Sequence, residues 1–544
     1  MNKILIQKFK GYLQKIDLDK LEKFFFTLFL LSIPFQTRLT FYTPQTYLNG
    51  TFNEYATFFL YLSDILLITT LLTFFVNTLT FKNYFGIITK RIHGSPLFIP
   101  STFILITLIT WSFINIYWSE YKNIAFYQSV KILEFGLLFL YISRRFKWFG
   151  FNNLAALIFV SGFLESLIGI AQYYLQRSLG LRIFMESILS PQIPNVAKIV
   201  VDGEKAIRAY GTFPHPNVFA GFLILSIFCG IWLLFSYKTL KAYKIVSRET
   251  ILYAFLVSGT IAELTAFILT FSRIAWLSSI LIIIIFIFLT IRSKLFHACP
   301  PMLSIFNPSL TQNNQDKLFH VKQFEILRRW VKQFTGFIFN QRTTLLILSI
   351  IIPLLVVIST NWKQINNRTI DNENKYQEST DNRILYNNIA INIIKEFPIT
   401  GIGGKNFTVI MQKFYNNQLE SWQFQPVHNI YLLIASELGL IGLSMFLVFI
   451  YLIVKTTWPN SKTVSRVLAD ANTLKTMLNL SGKNQNVSRE TFLMQTGLIS
   501  VFIGFLFIGL FDHYFWTLQQ GQLTFWLTIG LVLSTAKDKI NIEY

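Results

Sequence analysis

The sequence predicts an all-α polytopic membrane protein of about twelve helices, and three observations carry that prediction. Of its 544 residues, 53% are hydrophobic and only 14% are charged, with a mean hydropathy of +0.47. Soluble domains carry roughly 25% charged residues. Apolar runs of eighteen or more residues recur from end to end, which is the signature of membrane-crossing helices. Basic residues alternate between the connecting segments as they do in multi-pass proteins.

Expected spans lie near 24–36, 55–79, 97–117, 122–143, 151–175, 216–236, 251–270, 274–291, 343–360, 429–454, 493–510 and 514–535. The first is short and ends at Pro34. Residues 251–291 are almost wholly apolar, and as one helix they would run to about 60 Å. A bilayer's hydrocarbon layer is about 30 Å thick, so the segment must turn. Ser272 and Arg273 mark a tight turn between two helices. With both termini assigned to the cytoplasmic side, the inner segments hold 32 of the 48 Lys and Arg residues, and every short outer loop holds at most one. This bias sets the orientation. It also accounts for the net charge of +21 without nucleic acid as a partner. No cleavable leader is visible in the basic start, Met1 to Lys23. Two cysteines, Cys229 and Cys299, exclude a disulfide framework.

Three regions follow: N-terminal helices over 1–175, a central region over 176–454 including a long outer loop 361–428, and an inner loop with C-terminal helices over 455–544. In the outer segment 176–215, Asp202-Gly203 between apolar alternations predicts a hairpin. In the long loop, Ile384, Leu385, Ile389, Ile393 and Phe397 recur at helical spacing. Asp381 is the expected N-cap, Pro398 and Gly401 the stop, and the membrane interface the place where the apolar face lies. Phe407 to Phe414 forms a second such stretch. The inner loops 292–342 and 455–492 are polar and basic.

Topology sorts the titratable residues. His215, His428 and His513 fall outside or at the outer boundary, whereas His93, His297 and His320 fall inside. Arg208, Arg273 and Arg383 join the outer histidines. Guanidinium suits bidentate phosphate recognition and stays charged at any working pH. Imidazole is the usual general base near neutral pH, and His428 stands where a span begins. His215 lies between prolines, with Asn217 the expected cap of the span below. No paired ligand spacing points to a metal. Asp17-Leu18-Asp19 lies in the basic inner tail, away from the outer cluster. Asp64, Lys131, Glu134, Glu165, Glu263 and Glu437 fall within spans, where charged groups face the bundle interior and pair. Lys131 and Glu134 can meet on one helix face.

Four segments resemble conserved blocks of the O-antigen ligase and polymerase family. They are RAYGTFPHPN (208–217) running into GTFPHPNVFAGFL, FSRIAWLS (271–278), DNRILYNNIAINIIKEFPITGIGGKNF (381–407) and PVHNIYLLIASELGLIGL (426–443). The likeness covers roughly residues 200–450, and DHYFWTLQQGQLTFW (512–526) also resembles distant members. The resemblance implies a helical fold similar to the GT-C class. It implies a metal-independent, inverting glycosyltransferase without a cofactor, acting on glycans carried by undecaprenyl diphosphate at the outer face of the cytoplasmic membrane. The acceptor would be a hydroxyl of a glycolipid, glycan or protein. By the same resemblance His428 is catalytic and Arg208, Arg273 and Arg383 bind diphosphate, with His215, Asn217, Asn429 and Glu437 in support. The competing expectation is a lipid-linked oligosaccharide flippase or other transporter. No similarity between the chain's halves supports it.

Overall fold

The computed structural model describes residues 17–80, 98–201, 203–240, 247–298, 341–369, 373–458 and 483–537. Expectations for His93, Cys299, His320 and most of both inner loops lie outside them. The helices are α1 (Leu18–Ser32), α2 (Leu62–Thr80), α3 (Phe98–Asn115), α4 (Lys122–Phe149), α5 (Phe151–Leu175), α6 (Pro216–Leu240), α7 (Ser247–Leu269), α8 (Arg273–Ala298), α9 (Gln341–Thr360), α10 (Trp362–Thr369), α11 (Glu373–Glu396), α12 (Phe407–Ile410), α13 (Ile430–Thr457), α14 (Lys483–Ile508), α15 (Tyr514–Thr517) and α16 (Gln519–Lys537). A helix overlies each of the twelve expected spans. Length and composition qualify seven of the described helices to cross a membrane: those over α4–α8, α13 and α14. Those over α2, α3 and α9 are apolar but shorter.

The fold is not purely α. Three two-stranded antiparallel sheets pair β1 (Arg38–Phe41) with β4 (Phe58–Tyr61), β2 (Tyr47–Leu48) with β3 (Thr51–Phe52), and β5 (Lys198–Val201) with β6 (Glu204–Ile207). The last is the hairpin expected at Asp202-Gly203, with Gly203 at φ +85°. The span expected from residue 55 instead starts at Leu62, because Phe58 to Tyr61 is a strand. A short apolar run reads alike as strand or helix.

The core runs through the bundle as one cluster, and α16 sits within it, packed on α4, α6, α13 and α14. Burial explains its composition. Facing protein on all sides, it carries Gln519, Gln520, Gln522, Thr524 and Thr528, all buried. Leu518 separates it from α15, so the expected continuous span 514–535 is broken there. Asp17 caps α1, accepting from the Lys20 amide at 3.1 Å, and this gives the acidic triplet a structural role. Among buried charges, Lys131 bonds Glu134 at 3.0 Å and also Asp64. A buried cation in such a bundle requires partners of this kind.

The long-loop helix departs from expectation. It begins at Glu373, so Asp381 lies inside it and is not its cap. Its apolar face packs on α13, burying Tyr386, Ile389, Ala390 and Ile393 in the main core. The face meets protein because α13 offers it an apolar surface. Ile384 and Ile391 on the helix, and Phe397 just past its end, stay substantially exposed.

Candidate active site

The connecting segments gather at one end of the bundle. Gln36 donates to Thr212 O at 2.8 Å, Tyr173 to Asn361 at 2.7 Å, and Asn53 to Phe424 O at 2.7 Å. The site is assembled from four of these segments, each held by its own local chemistry.

The first runs from Arg208 to Asn217. Glu165 on α5 accepts from the Thr212 amide at 2.6 Å and from its hydroxyl at 2.9 Å. Gln172 donates to Gly211 O at 2.8 Å. Gly211 has φ +62°, and a Cβ there would lie 2.6 Å from the Glu165 carboxylate, so this position needs glycine. The second segment is the turn between α7 and α8. Phe271 adopts φ +46°, and Arg273 opens α8 half-buried. The two segments are laced together: the Ala209 amide donates to Leu269 O at 2.9 Å, and Arg208 Nε donates to Thr270 O. The Arg208 guanidinium thus holds the Thr270 carbonyl just past the negative end of α7. Arg208 is only 3% exposed.

The third segment brings His428 to the head of α13. Asn429 is the N-cap, its Oδ1 accepting from the amides of Tyr431 and Leu432 at 2.9 and 3.1 Å. Its Nδ2 donates to Leu510 O at 3.2 Å, and the Ile430 amide to Gly509 O at 2.8 Å. Those bonds dock His428 against the fourth segment, the turn Asp512-His513 between α14 and α15.

Asn217 joins the segments. It does not cap α6 as expected; the His215 ring accepts from the Asn217 amide at 3.1 Å. The Asn217 side chain instead accepts from Arg208 Nη2 at 2.8 Å and donates to Asp512 Oδ2 at 2.8 Å. Asp512 Oδ1 lies 3.8 Å from His428 Nδ1. A single polar chain therefore runs from the Arg273 turn through Arg208, Asn217 and Asp512 to His428. The His428 ring also lies 4.9 Å from His513 and 6.0 Å from Tyr386, between centroids. Arg383, half-buried, is one turn before Tyr386 on α11.

Electrostatics separate the members. Burial alone would raise the Asp512 carboxyl, but His428, His513 and His215 beside it hold it well below the usual carboxylate range. His513 is pushed down to about 3 by its burial and then by His428, against the pull of Asp512. The cluster thus sets a fixed anion, Asp512, beside a neutral His513 ring and the ring of His428. His513 is held by Thr517, ring Nδ1 to hydroxyl at 2.7 Å. Ligand-type atoms of His428, Asp512 and His513 lie within 4.8 Å of one another, a group able to hold a cation as well as to move a proton.

Glu437 lies apart from this chain. It is buried in α13, next to the Gly439 break (φ +70°), and accepts from Trp516 Nε1 at 3.4 Å. Asp512, Tyr386, Tyr55 and Lys405 are not among the residues that the sequence points to. Asp512 carried one signal, an acidic residue beside a histidine at the mouth of a span rich in Gln and Thr. Tyr55, whose ring is 5.4 Å from His513, gave none.

Fold and site together define a multi-pass membrane protein with a histidine–carboxylate–arginine cluster at one end of its helices. Residues 258–447 match the family model described as O-Antigen ligase. Arg273, Arg383, His428, Asn429 and Glu437 fall within the match, while Arg208, Asn217 and Asp512 flank it. A search of curated proteins finds no match. The match supports glycan ligation or polymerisation at a membrane as the general activity.

Proposed function

We propose that the protein transfers or polymerises a glycan from undecaprenyl diphosphate onto an acceptor hydroxyl, at the outer face of the cytoplasmic membrane. Both termini are cytoplasmic, and the bundle crosses the bilayer about twelve times in a GT-C-like arrangement. The observation that carries this reading is the polar chain from Arg208 through Asn217 and Asp512 to His428, around residues 258–447 that match the O-Antigen ligase family model.

In this reading His428 removes the acceptor proton. The acceptor oxygen bonds to the anomeric carbon, and the carbon–oxygen bond to diphosphate breaks with its electron pair leaving on undecaprenyl diphosphate. Displacement from the opposite face inverts the configuration. Asp512, behind His428, stabilises the imidazolium that forms. Arg273 and Arg383 line the diphosphate, and Arg208 adds its charge while bracing the Arg273 turn. Fixed guanidinium groups aimed at a leaving group that gathers negative charge lower the barrier without a metal. His215, Asn217 and Asn429 hold the frame.

The test incubates the full chain in proteoliposomes with purified lipid-diphosphate glycan and an acceptor, and follows release of undecaprenyl diphosphate. His428→Ala abolishes release while the protein stays in the membrane, and chelators leave the wild type unaffected. Near wild-type release in that variant removes His428 from the mechanism. Loss on chelation assigns the His428–Asp512–His513 group to a cation. A flippase would relocate intact substrate and release nothing.

A further inference from the structure

Exposed apolar side chains gather on one loop at the end of α5. Segment 178–189 is closed at its base by the Ser178 amide, which donates to Leu189 O at 3.2 Å. Leu179, Ile183, Met185 and Ile188 are exposed on it, Ile183 at 82% and Ile188 at 77%. Single apolar residues scattered over a surface need no account, but a group of them on one short loop marks a contact with membrane or protein.

The loop is tied down where it shows them. Glu186 turns inward, its carboxylate accepting from the amides of Leu179 and Leu181, each at 2.7 Å. The Arg182 amide donates to Gly180 O at 2.8 Å, with Gly180 at φ +82°. Met185 takes φ +51°, a conformation costly for a residue with a side chain. The Arg38 amide donates to Met185 Sδ at 3.2 Å, and the Thr37 hydroxyl to Ile183 O at 2.7 Å. Ile183 is thus pinned by its backbone while its side chain is left outside. Leu189 packs with Ile207 and Tyr210 in a small core of its own, which fastens the loop's base to the strand leading into Arg208.

Two helices fix the height of the loop. Gln172, in the last turn of α5, donates to Glu186 at 2.8 Å, so the loop folds back to the level of that turn. Just past the end of α1, the Phe35 ring stacks on Phe184 with centroids 4.2 Å apart, and the Gln36 amide donates to Phe184 O at 3.1 Å. α5 is long and apolar enough to cross a membrane, and Leu164, Leu167, Tyr174 and Leu175 are exposed along one stripe of it. In a bilayer that stripe faces lipid, and the loop continues it at the helix end. Tyr174 suits the membrane–water boundary, where an amphipathic ring is favoured. Arg177 and Arg182, both exposed, stand among the apolar tips, and basic groups there complement lipid phosphates. Lipid surrounds the bundle at this height, so it is the occupant that the position supplies.

We propose that loop 178–189 is a membrane-surface anchor. It docks in the headgroup boundary of the leaflet at the Arg208 end of the bundle, with Ile183 and Ile188 among the upper acyl chains. The inference needs α5 to cross the bilayer, and it stands whether or not the transferase reading holds. Because the loop's base packs on Ile207, the anchor also fixes the depth of the Arg208 segment relative to lipid phosphates.

The test places single reporters on the full chain. Cys299→Ser removes one native thiol, and Cys229 is buried and stays as it is. On that background Ile183→Cys, Ile188→Cys and, as a lipid-facing reference, Leu167→Cys are each labelled with a thiol-reactive bimane, and the background protein serves as the blank. All three positions are exposed, so the changes leave packing alone. The proteins are reconstituted into vesicles of phosphatidylethanolamine and phosphatidylglycerol. Quenching is read with a phosphatidylcholine carrying a nitroxide high on its acyl chain, and separately with aqueous iodide. Labels at 183 and 188 should lose about twofold in intensity to the nitroxide lipid and be shielded from iodide as the reference is. Stronger quenching by iodide than by the nitroxide lipid overturns the proposal. So does quenching by neither, which would mean that protein covers the loop.

Discussion

Replacing Asp512 by Asn tests whether the carboxylate acts through His428. The change keeps the shape and leaves an oxygen for the Asn217 amide, which donates to Oδ2 at 2.8 Å. What is lost is the negative charge 3.8 Å from His428 Nδ1. At an effective permittivity of about 20, a full imidazolium–carboxylate pair at that distance is worth about 4 kcal/mol. With the proton about half transferred in the transition state, about 2 kcal/mol of that is at stake, or about a 30-fold fall in kcat. The assay is release of undecaprenyl diphosphate by the full chain in proteoliposomes under saturating donor. A kcat within about threefold of wild type would refute the reasoning.

Three further outcomes follow from the same geometry. Gly439→Ala sets a Cβ 2.0 Å from Ile399 O at φ +70° and should destabilise by about 3 kcal/mol or more, read as a lowered melting temperature in detergent; an unchanged melt would remove the close approach from the account. Arg208→Lys cannot reach Thr270 O and Asn217 together, and binding of undecaprenyl diphosphate, measured by titration, should weaken about tenfold; equal affinity would deny Arg208 its bracing role. His513, held at about 3 when folded, takes up its proton more readily once unfolded. Its contribution to stability is therefore complete above about pH 6.5 and drains away towards about pH 3, so His513→Gln should flatten the fall in melting temperature across that window.

Much of the architecture was readable because hydropathy reports directly on helices that face lipid. The turn at Ser272-Arg273 was legible for a geometric reason, since an unbroken helix there would be twice as long as the bilayer is thick. The hairpin at 198–207 was legible because Asp-Gly chemistry is local. Legibility failed where a side chain's surroundings are set by distant residues. Hydropathy marked α11 as amphipathic but could not say that α13, rather than lipid, would cover it. The Phe58–Tyr61 strand was absorbed into a span because four apolar residues fit either pattern. Asp512 escaped because its meaning depends on Asn217, 295 residues away. Asn217, conversely, looked like a cap by position, yet spends its side chain on linking Arg208 to Asp512.

The place of Asp512 near the last helices bears on how the protein is made. Ribosomal synthesis delivers the arginines first, then His428, and only at the end the turn that closes the ring of contacts. Until α15 and α16 have threaded into the middle of the bundle, the imidazole has no anion beside it and the Arg208–Asn217 arm ends on nothing. A nascent chain halted before residue 512 would hold all of the matched residues 258–447 and still lack the contacts of Asp512, so the polar chain is completed only as the last helices take their place.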